Sequence, residues 1–354
     1  MMKAAVWHGR QDVRVQNVSD PPPPPPGQVQ VEVAWCGICG TDLHEYQEGP
    51  IYIPVDAPHP LTGVRAPVIT GHEMSGRVVA LGEGVDNFAL GDRVAACPII
   101  GCQECRWCKS GSMAQCDKVA FMGTSWTGGA LSERLNVYAY QCYHLPDALT
   151  DEVAAMVEPF ASTARAMVNA GVGPDDNVAI VGPGPIGLMS LMAAVIFGSR
   201  QVVVVGKSDR RLEIAKRCGA ASIIDLRSDD PLARTRELTD GAGFDIVIEC
   251  GGQPDSALLA GRLTRTRGRL VVMGVFDKPA PLDLTDLVFR EKTVLGSMSG
   301  YGYFDQSIAM MTDPRFHGES LITRRIHLDE LVEGGLRALL TEKGKHVKII
   351  TSPN

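Results

Sequence analysis

Four cysteines, Cys102, Cys105, Cys108 and Cys116, stand two, two and seven residues apart in a stretch that also holds Gly101 and Gly111. Thiolates this close can surround one divalent ion in a tetrahedron, and four protein ligands leave no position open, so the spacing predicts a structural Zn²⁺ site. An iron–sulfur cluster and two local disulfides are the rival readings. The first lacks the longer ferredoxin pattern with its Cys-Pro, and the second suits an oxidising compartment. A second set of ligand types is scattered: Cys39 within Cys36-Gly37-Ile38-Cys39-Gly40-Thr41-Asp42-Leu43-His44, His72-Glu73 after Gly71, and Glu158 before Pro159 and Phe160. Spacing does not join these. Taken singly, His72 reads as a hydrogen-bonded histidine, Cys36 and Cys39 as a redox pair, and Glu158 as a solvent-facing helix residue.

A third cluster is built for phosphate. Gly182-Pro183-Gly184-Pro185-Ile186-Gly187 follows the apolar run Val178–Val181 and opens a run of small and apolar residues. That strand–turn–helix setting is what a dinucleotide fingerprint requires. Gly182 permits the tight turn, Gly184 lets backbone amides approach a pyrophosphate, and Gly187 lets the helix lie close to the sheet, while Pro185 and Ile186 open a helix whose N-terminus meets the phosphate charge. In NAD-binding units an acid at the end of the second strand holds the adenosine ribose. Here Val202–Val205 ends in Gly206, followed by Lys207-Ser208-Asp209-Arg210-Arg211. Gly206, Lys207, Ser208, Arg210 and Arg211 would accept a 2′-phosphate, so NADP(H) is expected over NAD(H). In the competing reading the cations are the solvated first turn of a helix, and Asp209 offsets part of their field.

These residues must be positioned by two kinds of chain. Residues 3–18 and 28–35 alternate as half-buried strands do, joined by the prolines Pro21–Pro26, read as a rigid polyproline connector. Further short strands at 75–81, 93–96 and 131–137 make the first 150 residues mainly β. After Pro146 a helix is expected over 151–168, and then strands at 177–182, 201–206, 221–224, 244–249, 269–274 and 293–297 alternate with helices at 185–198, 210–219, 231–239 and 254–266. The pattern predicts an α/β fold, a doubly wound parallel sheet bounded near residues 157 and 298, and a tail with one more helix and strand that returns to the first domain.

Composition narrows the partners. The 354 residues are 45% hydrophobic and 21% charged, as in a globular protein. Thirty-four Lys and Arg against 41 Asp and Glu give a net charge of −7, which argues against nucleic acid and anionic membrane as partners. The apolar stretch 186–197 is short of the roughly 20 residues a bilayer span needs, and no signal segment is read at the start. With ten cysteines, the expected location is a reducing cytoplasm.

With Cys-Gly-Ile-Cys-Gly-Thr-Asp, Gly-His-Glu, the four-cysteine loop, Glu-Pro-Phe and the glycine fingerprint in that order, the chain resembles the zinc-dependent medium-chain dehydrogenases. His44-Glu45-Tyr46 running into Gly49–Pro54, and His59-Pro60-Leu61-Thr62-Gly63 ahead of Gly71-His72-Glu73, resemble their butanediol and sorbitol dehydrogenase branch. The resemblance implies a GroES-like catalytic domain over 1–157, a Rossmann domain over 158–298 and a return segment over 299–354 completing the first. It implies a catalytic zinc on Cys39, His72 and Glu158, with Glu73 exchanging with or replacing Glu158, beside the structural zinc. It further implies a proton relay through Thr41 and His44, and a nicotinamide contact at Ser162. Tyr46, Ile51, Tyr52 and Phe121 are pocket candidates. The expected activity is hydride transfer between NADP(H) and a small secondary alcohol or its ketone, such as a vicinal diol, hydroxyketone or polyol, in a homodimer or homotetramer. Two alternatives stay open: an NAD-linked enzyme of the butanediol or sorbitol type, and a catalytically silent NADP-binding or redox-sensing protein.

Overall fold

The structure, a computed structural model, describes residues 1–342 and 344–353. Two units divide it: Met1–Glu158 with Phe304–Ile308 and the stretch from Ile322, and Pro159–Tyr303 with Ala309–Leu321.

In the first unit the alternating stretch 3–18 is a hairpin. Strands β1 (Met2–Gly9) and β2 (Asp12–Val18) pair antiparallel, and Gln11 takes φ +57° at the turn. Next come β3 (Gln28–Gly37), helix α1 (Gly40–Glu48), β4 (Val68–Ile69), β5 (Glu73–Leu81) and β6 (Arg93–Ala96). Strands β7 (Ile99–Ile100) and β8 (Ala120–Phe121) pair around the four-cysteine loop, which carries α2 (Arg106–Lys109); β9 (Arg134–Tyr138) and β10 (Cys142–His144) follow. Strand β3 is central, antiparallel to β5 on one side and β9 on the other. Its alternate residues Val29, Val31 and Val33 are fully buried among Trp7, Met74, Val78, Leu135 and Val137, the period-2 pattern of a one-sided strand. The helix expected over 151–168 is two, α3 (Asp151–Ala154) and α4 (Val157–Ala170), because Met156 N–H donates to the Val153 carbonyl in a tighter i to i−3 turn.

The second unit is a six-stranded parallel sheet in the order β13-β12-β11-β14-β15-β16 among the described residues. Its elements are β11 (Asn177–Val181), α5 (Pro185–Ile196), β12 (Gln201–Gly206), α6 (Asp209–Arg217), β13 (Ser222–Asp225), α7 (Pro231–Leu238), β14 (Phe244–Glu249), α8 (Pro254–Leu263), β15 (Thr264–Val272), α9 (Leu284–Phe289) and β16 (Thr293–Gly296). Unbroken apolar runs such as Val202–Val205 suit strands covered on both faces, and these residues are buried. The order is that of a doubly wound fold, so the predicted α/β class is the observed one. Helix α8 stops before the expected residue 266. Thr264 turns extended and its hydroxyl donates to the Ala260 carbonyl at 2.8 Å, satisfying a helix-end acceptor.

The return is less simple than one helix and strand. Helix α10 (Phe304–Met311), β17 (Ile322–His327), α11 (Ala338–Thr341) and β18 (Lys348–Ser352) follow. Of the expected return segment 299–354, residues 299–303 and 309–321 group with the second unit. Strand β18 lies parallel to β17 and antiparallel to β3, pairing Thr351 with Cys36. None of the described helices is long and apolar enough to cross a membrane.

Ile180 is fully buried on β11. Ile180→Ala is expected to cost about 2–5 kcal/mol and Ile180→Val about 0.5–1.5, read in denaturant unfolding followed by circular dichroism.

Candidate active site

Cys39 is the N-cap of α1, the end of the helix where orphan backbone amides gather. The Asp42 carboxylate turns back to accept the Cys39 N–H at 2.9 Å, closing the cap. Thr41 Oγ1 lies 3.6 Å from Cys39 Sγ, and Thr41 and His44, three residues apart, share a helix face. Gly71 delivers the other ligands. Its φ is +93°, and a Cβ there would lie 2.5 Å from Leu131 N, so only glycine lets the chain turn into His72 and Glu73. Glu73 opens β5 opposite Gly37 on β3, where a Cβ would stand 2.1 Å from Glu73 Oε2; Gly37 therefore makes room for the carboxylate.

The ligand atoms of Cys39, His72 and Glu73 all lie within 4.8 Å of one another. Glu73, which the resemblance implied could exchange with or replace Glu158, is the carboxylate of that group. Glu158, half-buried in the first turn of α4, is outside that group but close enough to act on His72. Desolvation pushes the Glu158 carboxyl up to about 7, partly offset by His72. Burial opposes a charge on His72, yet Cys39, Asp42 and Glu158 outweigh it and raise the imidazole well above its ordinary value. Cys36 is fully buried and its thiol is pushed well up by desolvation, then by Asp42 and Glu73, which suits a packing role.

Two residues of this region escape sequence reasoning. Lys348, 2% exposed on β18, donates from Nζ to Glu73 Oε1 at 2.8 Å, to Glu73 Oε2 at 2.6 Å and to the Ile38 carbonyl at 3.2 Å. The signal was a lone charge inside Val347-Lys348-Ile349-Ile350. Glu45, 2% exposed, accepts backbone N–H groups from Ile51 at 3.1 Å, from Tyr52, and from Ile53 at 3.0 Å, tethering the loop after α1. Of the pocket candidates, Tyr46 is buried with its hydroxyl accepting from Arg337 Nε at 3.2 Å, a core contact, whereas Ile51 and Tyr52 are exposed.

The sulfurs of Cys102, Cys105, Cys108 and Cys116 also fall within 4.8 Å of one another, and none is in a disulfide. Backbone amides converge on them. Cys102 and Lys118 N–H donate to Cys116 Sγ and Cys105 N–H donates to Cys102 Sγ, each at 3.3 Å. A backbone amide, that of Cys108, is also the main reason Cys105 falls to about 6, whereas burial lifts Cys108 to about 12. Four converging sulfurs with amides aimed at them fit a closed tetrahedral ion.

In the second unit the fingerprint has the expected strain. Gly182 takes φ +99°, and a Cβ on Gly187 would meet Gly182 O at 1.9 Å. Gly184 is the N-cap of α5 with open space at its Cβ position, Pro185 is the first helical residue and Ile186 follows, and no side chain caps the helix there. Gly206 ends β12, Lys207 and Arg210 are exposed, Ser208 is the N-cap of α6 and Arg211 is half-buried. Arg227, after β13, joins this end of the sheet and was not foreseen. Ser162 lies on α4, within the second unit.

Comparison with known proteins agrees with this anatomy. Residues 25–147 match the alcohol dehydrogenase GroES-like domain and residues 185–313 the zinc-binding dehydrogenase domain. The chain is 38% identical to (R,R)-butanediol dehydrogenase of Bacillus subtilis (strain 168), over 353 residues and the whole of both proteins. The chain belongs to the zinc-dependent medium-chain dehydrogenase family. This dehydrogenase is also 31% identical to the sorbitol dehydrogenase of the same strain, over all of the chain and 98% of that protein. The crystal structure of 2R,3R-butanediol dehydrogenase from Bacillus subtilis superposes with a TM-score of 0.93 at 38% identity, covering 100% of both chains. The dehydrogenase is therefore an oxidoreductase of the zinc alcohol and polyol dehydrogenase type, and its GroES-like and Rossmann domains are those the resemblance implied.

Lys348→Met strands the Glu73 carboxylate. The loss expected is about 3–5 kcal/mol in denaturant unfolding, most of it recovered in the Glu73→Gln/Lys348→Met pair, because removing both partners leaves no orphan charge.

Proposed function

We propose that the dehydrogenase interconverts a small secondary alcohol, in the vicinal diol, hydroxyketone or polyol class, with its ketone, using NADP(H). The observation that carries this is the meeting of Cys39, His72 and Glu73 within 4.8 Å, beside the helix that bears Thr41 and His44, with the Glu158 carboxyl close enough to act on His72. Cys39, His72 and Glu158 would hold a catalytic zinc. Glu73, both of whose oxygens are engaged by Lys348, stands as the reserve carboxylate. Zinc and nicotinamide, when bound, supply a Lewis acid for the alcohol oxygen and an acceptor or donor of hydride.

The chain's own groups do the rest. Thr41 takes the proton of the alcohol at its hydroxyl and His44 passes it on to water; His44 sits on the same helix face, half-buried, as a relay terminus should. Ser162 contacts the nicotinamide. Cys102, Cys105, Cys108 and Cys116 hold a structural zinc. Gly182, Gly184, Pro185, Ile186 and Gly187 cradle the pyrophosphate, and Gly206, Lys207, Ser208, Arg210 and Arg211 receive the 2′-phosphate. The absence of an acid at Gly206 supports NADP(H). An NAD-linked enzyme is the second reading, favoured by Asp225, which pairs with Gly206 from the neighbouring strand.

A homodimer or homotetramer is supported by edge strand β16, where Val294 is partly exposed and nearby Val288 and Phe289 are 74% and 82% exposed. A reducing cytoplasm suits ten cysteines without a disulfide. A GroES-like catalytic zinc domain over 1–157, a dinucleotide-binding domain over 158–298 and a return segment over 299–354 that completes the catalytic domain round off the scheme.

Steady-state kinetics with 2,3-butanediol, acetoin, sorbitol, threonine and simple secondary alcohols test the activity, with kcat/KM expected to be higher with NADP(H); equal or better rates with NAD(H) reject the cofactor reading. Metal analysis is expected to give two zinc ions per chain. Cys39→Ala and Glu158→Gln should lose one together with activity, and Cys105→Ala the other together with stability, while Glu73→Gln should keep both.

A further inference from the structure

Strands β12 and β13 run side by side, and their register sets Asp225 beside Gly206, where a ribose-binding acid is missing. Leu226 N–H donates to the Gly206 carbonyl at 2.8 Å, which keeps the two strand ends together. A second acid, Asp209, stands in the first turn of α6. Two carboxylates therefore flank the place assigned to the 2′-phosphate, enough to repel it and to offer a ribose diol two acceptors.

One side chain holds both. Arg227 Nε donates to Asp225 Oδ1 at 2.9 Å and Nη2 to Asp225 Oδ2 at 2.5 Å, and the same Nη2 donates to Asp209 Oδ1. The bidentate grip is pre-set by the backbone: Arg227 N–H donates to Asp225 Oδ1 at 3.1 Å, and Asp229 Oδ2 accepts the Asp225 N–H at 2.8 Å. These bonds hold Asp225 down to about 2 and lower Asp209 as well, so both remain ionised and both are matched by the guanidinium. Arg227 lines a surface hollow with Asp209, Arg210, Lys216 and Asp225. Lys216 faces Glu213 at 3.7 Å, whereas Lys207 and Arg210 are exposed and in no ion pair among the described residues.

We propose that Arg227 is a cofactor-discriminating residue: by binding Asp209 and Asp225 at once it cancels the carboxylates that would favour a ribose diol, and leaves Lys207 and Arg210 to face a 2′-phosphate. This rests on the reading that the cofactor occupies the fingerprint with its adenosine ribose at Gly206. It goes beyond that reading by assigning discrimination to a residue outside the fingerprint and its second strand. The guanidinium is planar and binds two carboxylates in fixed geometry, which a lysine ammonium cannot reproduce.

The test is calorimetric binding of NADP⁺ and NAD⁺ to the full chain, with 2′,5′-ADP and 5′-AMP as fragments that differ in the phosphate. Arg227→Gln is expected to weaken NADP⁺ by about tenfold, because two uncancelled carboxylates would then repel the 2′-phosphate, and to leave NAD⁺ unchanged or tighter. The fragments should follow the same order, and Arg227→Lys should fall between. Asp209→Asn/Asp225→Asn, which frees the guanidinium, is expected to raise the NADP⁺ to NAD⁺ affinity ratio and serves also where Arg227→Gln fails to fold. Parallel changes in both cofactors, no change, or a lower ratio in the double variant overturn the proposal. The wild-type ratio judges the cofactor reading separately. Tighter NAD⁺ in the wild type with a ratio that still falls in Arg227→Gln rejects NADP preference and upholds Arg227; tighter NADP⁺ with an unchanged ratio does the reverse.

Discussion

Charge buried in a protein has to be cancelled where it lies. The first unit places a thiol, an imidazole, two carboxylates and an ammonium, from Cys39, His72, Glu73, Asp42 and Lys348, in one buried or nearly buried neighbourhood. Isolated, each charge would cost several kcal/mol to desolvate. Together the cationic and acidic groups offset one another, and further bonds satisfy them: Asp42 accepts from the Cys39 amide, and Lys348 turns its third donor direction to the Ile38 carbonyl. The β framework around β3 exists to hold this arrangement. Gly37 and Gly71 are its concessions, positions where any side chain would collide with Glu73 or Leu131.

The parts of this protein that could be read from its residues are those whose chemistry is local. Four sulfurs within 15 residues, or three glycines within six, describe their own geometry, because short loops have few ways to close. The parallel strands were legible for a similar reason: a run such as Val202–Val205 has no polar face to show solvent. The hairpin within 3–18 and the break between α3 and α4 were not, since turn residues such as Gln11 and Met156 carry no strong local signal.

Lys348 and Arg227 were invisible for a different reason. Lys348 meets Glu73 across 275 residues, and Arg227 meets Asp209 across 18 by way of a neighbouring strand. Both are pairings made by sheet register. A sequence shows that a charge is out of place in an apolar strand, but only topology names its partner. Glu45 belongs to the same class, because its carboxylate caps backbone amides and so has no side-chain counterpart to find.

The position of β18 has a bearing on how the protein is made. Strand β18 adds to the β3 edge and brings the ammonium that Glu73 requires, yet it leaves the ribosome 275 residues after that carboxylate, a delay on the order of half a minute at ordinary elongation rates. Until it emerges, Glu73 lacks the ammonium that grips both of its oxygens, and β3 lacks the strand that pairs with Cys36 and Gly37. Pairing of that carboxylate is thereby tied to synthesis of β18, so that a chain stalled before this strand would hold Glu73 without its ammonium.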